Sequence, residues 1–314
     1  MALAACGAAR GQETTTAPQR ESAGEFPKTI VQSDGQSLRL ERRPQRIASV
    51  TLGTDEILLD LVEPARIVAL SIFADDPQNS NVVEKAKAVK ARVAGYAEQV
   101  LALAPDLIFV ASYSKPEFLR LLQGAGLPVF KFQTFETIDQ ILANVETVGQ
   151  AVGETEKAKA LTAQARRRIE AVAKAVAGKP RPSVLSFSYG WVAGRRTTVH
   201  DIIGAAGGRN YAADQGIEGS REVPTEILLT WRPDYLLVLG PGNRRGAAQA
   251  AVEQRPALSA LDAVREGRVL MMRSSRLSPV SHYVAQGVED LARLLHPDCF
   301  KTAEGNDTGP GGSG

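Results

Sequence analysis

The chain has 314 residues, 44% of them apolar, which is enough for two domains of ordinary size. Its 37 lysines and arginines face 35 aspartates and glutamates, and the resulting net charge of +2 excludes the strongly basic domain that a nucleic-acid binder needs. No stretch approaches the roughly 18 to 20 apolar residues of a membrane-spanning helix.

In chain order, the first feature is a processing signal. "LAACG", residues 3–7, places a leucine and two small residues before Cys6 and resembles the bacterial lipobox, where a signal peptide is cut and the cysteine acylated. Only five residues precede Cys6, fewer than the basic and apolar regions of a signal peptide occupy. The polar stretch that follows carries Gly, Pro, Ser and Thr. Residues 1–43 therefore read as a lipobox remnant, with Cys6 lipidated, and a disordered tether. Cys299 forms no metal-ligand spacing with Cys6 and reads as structural.

Residues 44–153 read as an N-terminal α/β lobe. "RIASV" is a short strand, and a helix follows that Thr54 can cap, with Ile57, Leu58 and Leu61 on one face. "RIVALS" and "DLIFVAS" are further strands, the second apolar enough to be buried on both faces of a parallel sheet. "PEFLRLLQGAG" is a helix closed by glycine, "PVFKF" a fourth strand, and Thr137 with Gln140 forms a capping box for the helix after it. Residues 154–179 are rich in Ala, Lys, Arg and Glu. They predict one long helix, with Leu161, Ala165, Ile169, Val172 and Val176 in a narrow stripe, that connects two lobes and packs along both.

Residues 180–300 repeat the plan as a C-terminal α/β lobe: strand "SVLSFSY", helix "TTVHDIIGAAGG", a buried strand inside "PTEILLTWRPDYLLVLG", strand "RVLMM" and an amphipathic last helix. Residues 301–314 are low-complexity and expected to be disordered. The predicted class is thus α/β, two Rossmann-like lobes with mostly parallel sheets joined by a single long connector helix.

One phrase occurs in both lobes. Glu98 stands seven positions before Pro105–Asp106, and Glu226 seven before Pro233–Asp234, each pair opening a buried apolar run. Proline ends a helix and aspartate opens a strand, so the corner is architecture. The glutamates gain from the helix dipole by about 0.3–1 kcal/mol, or they form two matching anchor points for a partner with basic sockets. Other motifs point elsewhere. "GPGNRRG", residues 240–246, imitates a dinucleotide loop, but its spacing is G-x-G-x-x-x-G and a proline fills the turn. His200, His282 and His296 are scattered and suggest no bare zinc or manganese site. No nucleophile elbow, H-E-x-x-H or P-loop is present, and no catalytic residue is assigned.

"RIASVTLGTDEILLDL", "VLALAPDLIFVAS", "GAGLPVFKF", "DIIGAAGGRNYA", "EVPTEILLTWRPDYLLVLG", "LSALDAVREGRVLMM" and "LARLLHPDCF" come in an order that resembles the substrate-binding proteins of bacterial ABC importers for iron–siderophore complexes, haem and cobalamin. The resemblance covers roughly residues 44–300. It implies two lobes joined by one long helix, a ligand held between them, and one surface glutamate per lobe docking on permease arginines, positions that Glu98 and Glu226 match. It also implies an extracytoplasmic, lipid-anchored monomer serving a permease dimer with its ATPase subunits. No cofactor is expected beyond the captured ferric chelate, haem or cobalamin. Ligands of parallel α/β sheets bind beyond the carboxyl ends of the strands. That placement makes Phe73, Tyr113, Tyr189, Trp191, Arg195, Arg273 and Arg276 the candidate ligand contacts, the arginines leaning towards an anionic iron chelate. Met271 and His282 are candidate axial ligands if the cargo is haem. The alternative is a nucleotide-dependent α/β oxidoreductase with a two-lobed body, which requires a well-formed glycine loop.

Overall fold

The computed structural model describes residues 26–32, 35–132, 134–240, 246, 249, 252–253 and 255–300. Cys6, the tail from 301 and most of the 240–246 loop lie outside the described residues.

The chain enters as an antiparallel hairpin, β1 (Lys28–Val31) with β2 (Ser37–Leu40), within the stretch expected to be tether. Ile30 and Leu40 are buried in the N-terminal core and hold the hairpin down. Leu38 packs partly against the same core and the other positions are polar or exposed, so the pattern is too short to show a sustained alternation.

Five parallel strands form the N-terminal sheet: β3 (Ile47–Ser49), β4 (Ile67–Ser71), β5 (Arg92–Val93), β6 (Leu107–Ala111) and β7 (Val129–Phe132), in the order β5-β4-β3-β6-β7. Both faces are covered, as a parallel sheet requires. Leu107, Phe109, Phe130 and Phe132 face one apolar cluster, and Ile108 and Val110 face another. Helices α1 (Leu52–Leu61), α2 (Val83–Ala86), α3 (Ala97–Leu101) and α4 (Pro116–Gly124) alternate with the strands. Thr51, not Thr54, is at the start of α1, because Thr54 is buried and bonded to Ser49 and Thr51.

The C-terminal sheet contains β8 (Ser183–Ser188), β9 (Trp191–Ala193), β10 (Arg209–Asn210), β11 (Ser220–Glu222), β12 (Tyr235–Leu239) and β13 (Val269–Met272). Its order is β11-β9-β8-β12-β13, with β10 also paired to β8. The pairs among β8, β10, β12 and β13 are parallel, whereas β9 and β11 are antiparallel additions. The run expected as one strand to Tyr189 instead turns at Tyr189–Gly190, both with positive φ, as a two-residue hairpin demands.

Two helices join the lobes. α5 (Ile138–Val152) begins with the capping box of Thr137 and Gln140 and ends at Gly153, which adopts the left-handed conformation. α6 (Thr155–Ala175) then runs back along it, about 31 Å long at 1.5 Å per residue. Gly149 lets them approach, since a Cβ there would meet Ala158 Cβ at 2.2 Å. Each helix contributes to both cores. Ile141 and Val172 pack in the C-terminal core, and Val145, Val148, Val152 and Ala158 in the N-terminal one.

The repeated Pro-Asp corner has the same physical role in each lobe. Asp106 accepts hydrogen bonds from the amides of Gln45 and Arg46 at 2.8 and 2.9 Å, fixing the entry to β3 beside β6. Asp234 accepts from the amide and hydroxyl of Ser183, both at 2.7 Å, fixing β8 beside β12. Those bonds hold the Asp234 carboxyl below its ordinary pKa.

Candidate functional site

Parallel strands send their outgoing connections to one side of each sheet. Ile72 and Phe73 leave β4, Tyr96 follows β5, Tyr113 follows β6, and Tyr189 and Trp191 form the tip of the β8–β9 hairpin. These six are among the nine large apolar side chains left exposed in the described residues, so most of the exposed apolar surface stands at the strand ends. Tyr189 is 75% exposed at φ +47°, a conformation that disfavours a bulky side chain. Backbone strain of this kind gathers where the position of a side chain matters. Tyr113 meets Phe135 edge to face with centroids 6.0 Å apart.

Beneath the N-terminal part of this rim lies a hydroxyl-rich floor. Asp55, in the first turns of α1, is fully buried. Both its oxygens accept from the Ser71 amide at 3.2 Å, and one accepts from the Ser71 hydroxyl at 2.5 Å. Burial outweighs those bonds and pushes its pKa up to about 7. Most of the Tyr113 side chain is exposed, yet desolvation at its hydroxyl end, and then the nearby Asp55 charge, raise the phenol against a hydrogen bond with Thr51.

The lobes are tied on two sides. On one, Glu56 accepts from the Asn81 amide at 2.9 Å, from Asn81 Nδ2 at 2.8 Å and from the Ser281 hydroxyl of the other lobe. Asn81 Nδ2 also donates to the Ser275 carbonyl at 2.9 Å. Asp60 accepts from the Tyr283 hydroxyl at 2.9 Å and lies 3.1 Å from His282 Nε2. Burial alone would raise the Asp60 pKa, but His282, Lys85 and Tyr283 together bring it down to about 2. On the other side, Arg196 pairs with Glu136 at 3.1 Å and the Thr198 hydroxyl donates to the Phe135 carbonyl at 2.8 Å.

The candidate residues therefore fall into three groups. Phe73, Tyr113, Tyr189 and Trp191 stand at the strand ends, joined there by Ile72 and Tyr96. Tyr96 escaped sequence reading because β5 is two residues long and too short to show a period. Arg195 is exposed on the connection out of β9, and its guanidinium has no partner among the described residues; its neighbour Arg196 is engaged across the lobes. Arg273 and Arg276 line a recess bounded by β13, α11 (Ser274–Leu277) and α12 (Val284–Leu295), and its lining among the described residues comes from the C-terminal lobe. Met271 and His282 are both buried rather than at the rim. Glu98 in α3 and Glu226 in α9 (Thr225–Leu228) are exposed, and neither makes a side-chain hydrogen bond or ion pair among the described residues.

Two parallel-sheet α/β lobes, a helical pair passing through both cores and an aromatic rim at the strand ends define a two-lobed binding protein. Residues 47–275 match the family model described as periplasmic binding protein, and the chain belongs to that family. It is 25% identical over 309 residues to an uncharacterized ABC transporter substrate-binding lipoprotein of Bacillus subtilis, covering 95% of this chain and 94% of the relative. It is also 25% identical over 301 residues to a cobalamin-binding protein of Halobacterium salinarum, covering 93% of this chain and 80% of that protein. Among solved structures, the apo periplasmic haem-binding protein RhuT from Roseiflexus sp. RS-1 superposes with a TM-score of 0.69 at 27% identity, over 81% of this chain and 99% of that one.

Proposed function

We infer that the chain is the extracytoplasmic substrate-binding component of an ABC importer, and that it captures a haem, a cobalamin or a ferric chelate between its lobes. The aromatic rim is the observation that carries this reading. Five aromatic side chains, with Ile72 beside them, stand exposed at the ends of both sheets, and a large conjugated macrocycle gains from stacking on such rings. With Arg273 and Arg276 lining a separate recess, Arg195 is the guanidinium left for an anionic siderophore. The balance therefore moves towards a planar tetrapyrrole or corrin. The names of the related haem- and cobalamin-binding proteins agree with that chemistry.

Capture of this kind is reversible and requires no covalent step. A permease with its ATPase subunits would receive the loaded protein, here taken as a monomer held by a lipid on Cys6. Glu98 and Glu226, exposed and free of internal partners among the described residues, are the two anchors offered to that permease. Trp191 is 47% exposed and Trp231 6%, so ligand capture should be read mainly by Trp191 fluorescence. Titration with haem, cyanocobalamin and several ferric siderophores should give saturable quenching at micromolar concentration for one of them, and Trp191→Phe should abolish the signal. Binding of NAD(H) with none of these would overturn the reading in favour of an oxidoreductase. The double variant Glu98→Ala, Glu226→Ala should lose uptake in cells while ligand affinity stays within twofold. A loss of affinity would move both glutamates into the cleft.

A further inference from the structure

The floor beneath the aromatic rim holds a continuous line of hydroxyls. Ser49, at the end of β3, hydrogen-bonds to the Asp55 carboxyl. Its Oγ meets Thr54 Oγ1 at 2.5 Å, and Thr54 Oγ1 meets Thr51 Oγ1 at 2.9 Å. Thr51 in turn hydrogen-bonds to the Tyr113 phenol. Asp55, Ser49, Thr54 and Thr51 are all buried, and Tyr113 is the exposed end of the line. Thr51, Thr54 and Tyr113 also line a cavity of about 20 Å³ at the lobe junction, with Phe135 and Val280 among its walls. That is room for one water or one small group of a ligand.

A hydroxyl has one proton to donate, so each link points one way and the buried end sets the direction of the whole line. An ionised Asp55 only accepts. Ser49 then donates to it, Thr54 to Ser49, Thr51 to Thr54 and Tyr113 to Thr51, which leaves the phenol oxygen as an acceptor for the cavity. A protonated Asp55 donates to Ser49, each hydroxyl rotates, and Tyr113 receives from Thr51 with its own O–H free to donate. Ser71 donates to the carboxyl in both states. The Thr51 carbonyl, 2.9 Å from the Thr54 hydroxyl and 3.2 Å from that of Ser49, shares their protons in either direction and keeps the three residues together. No basic side chain bonds to Asp55 among the described residues, and burial brings its titration to about 7. Glu56 and Tyr113 are the titratable neighbours that act on it. The charged residues of the elements around α1 are bonded elsewhere: Asp75 to Arg92, Glu84 to Lys87, Lys85 to Asp60, Asp139 to Arg166 and Glu146 to Thr162.

We propose that the line from Asp55 through Ser49, Thr54 and Thr51 to Tyr113 is a proton-set switch in the ligand site: with Asp55 protonated, Tyr113 donates a hydrogen bond to a carboxylate or carbonyl oxygen of the ligand, and with Asp55 ionised it can only accept one. The switch rests on the reading of the cleft as the ligand site. It makes capture of an acceptor-bearing ligand tighter on the acid side of neutrality.

The coupling is tested first in the ligand-free full chain, by carbon NMR of protein labelled at tyrosine Cζ, with Tyr113→Phe assigning the resonance. The Tyr113 signal should move with a midpoint near pH 7, and both Asp55→Asn and Ser49→Ala should abolish that step. A signal flat from pH 5 to 9 in the wild type, or one that titrates alike in both variants, overturns the proposal. Circular dichroism checks the fold, and Ser49→Ala keeps the test decisive should Asp55→Asn misfold. The second arm titrates ferric haem and cyanocobalamin at pH 6 and pH 8 by Trp191 quenching. The ligand that binds should do so roughly fivefold more tightly at pH 6, the worth of one hydrogen bond. Asp55→Asn, whose amide donates at every pH, should hold the tighter value at both. Equal wild-type affinities at the two pH values overturn the switch. Failure of both ligands to bind at either pH overturns the capture reading instead, and the tyrosine signal still decides the coupling.

Discussion

Tyr189 occupies a position where asparagine or glycine costs less, at the first residue of a two-residue hairpin turn. A bulky residue in the left-handed region costs about 1–2 kcal/mol. Retaining an exposed ring there makes sense if the ring meets a ligand. Tyr189→Asn should raise the urea midpoint by an amount equivalent to about 0.5–1 kcal/mol, while ligand affinity falls roughly tenfold with the lost aromatic face. A variant that gains stability and keeps its affinity would remove Tyr189 from the site. Asp55 makes a second residue-scale prediction. Its pKa rises on folding from an ordinary 3.8 to about 7. The native state therefore holds this proton more tightly than the unfolded chain does. Its contribution to stability is fully present below about pH 4 and is lost as the pH rises towards 7. Asp55→Asn should flatten that decline by up to about 1.4 kcal/mol per pH unit, measured as stability against pH. A slope unchanged by the substitution would mean that the carboxyl is ionised throughout. At this scale the sequence was legible where an aromatic followed a recognisable strand, as with Phe73 and Tyr113. It was silent on Asp55, which looks like any first-turn acid until the Ser71 contact and its burial are seen.

At the scale of elements, the Pro-Asp corner was readable because it occurs twice with the same apolar sequel. What it does was not readable. The bond from each aspartate runs to a strand about 50 to 60 residues earlier in the chain, 61 for Gln45 and 51 for Ser183. Asp106→Ala and Asp234→Ala should each cost about 1–2 kcal/mol through the lost bonds to backbone amides. Hydrogen exchange should quicken at Arg46 in the first variant and at Ser183 in the second. Equal exchange in wild type and variant would show that the sheet holds without these pins. The elements that were missed share a cause. β1 and β2 bury little beyond Ile30 and Leu40, and β5 is two residues long, so neither presents a period to read. β9 was missed just beyond the expected strand, because the Tyr-Gly turn that reverses the chain carries an aromatic where turn chemistry leads one to look for Asn or Asp.

Over the whole molecule, the long helix was legible from composition, whereas its partnership with α5 was not. The stripe of Leu161, Ala165, Ile169, Val172 and Val176 states that one face is buried but does not name what covers it. The structure supplies a neighbour running the opposite way and ties on both sides of the junction, among them Glu56 to Ser281 and Arg196 to Glu136. Free movement of one lobe against the other has to break those contacts. Small-angle scattering with and without ligand should therefore show the radius of gyration changing by less than about 1 Å, the scale of a preorganised complex. A change of several ångströms would show that the ties open in solution.

The two helices also decide how the protein comes apart. Each carries side chains that complete the apolar interior of both halves, so melting either half strips the other of part of its own interior. Neither half is left as an independently stable body. Calorimetry of the apo protein should accordingly give one transition whose van't Hoff and calorimetric enthalpies agree, where two self-contained domains would give two. Substitution of Ile141 and Val172 by alanine, at the points where the helices enter the C-terminal interior, should be the change that splits that single cooperative event into two.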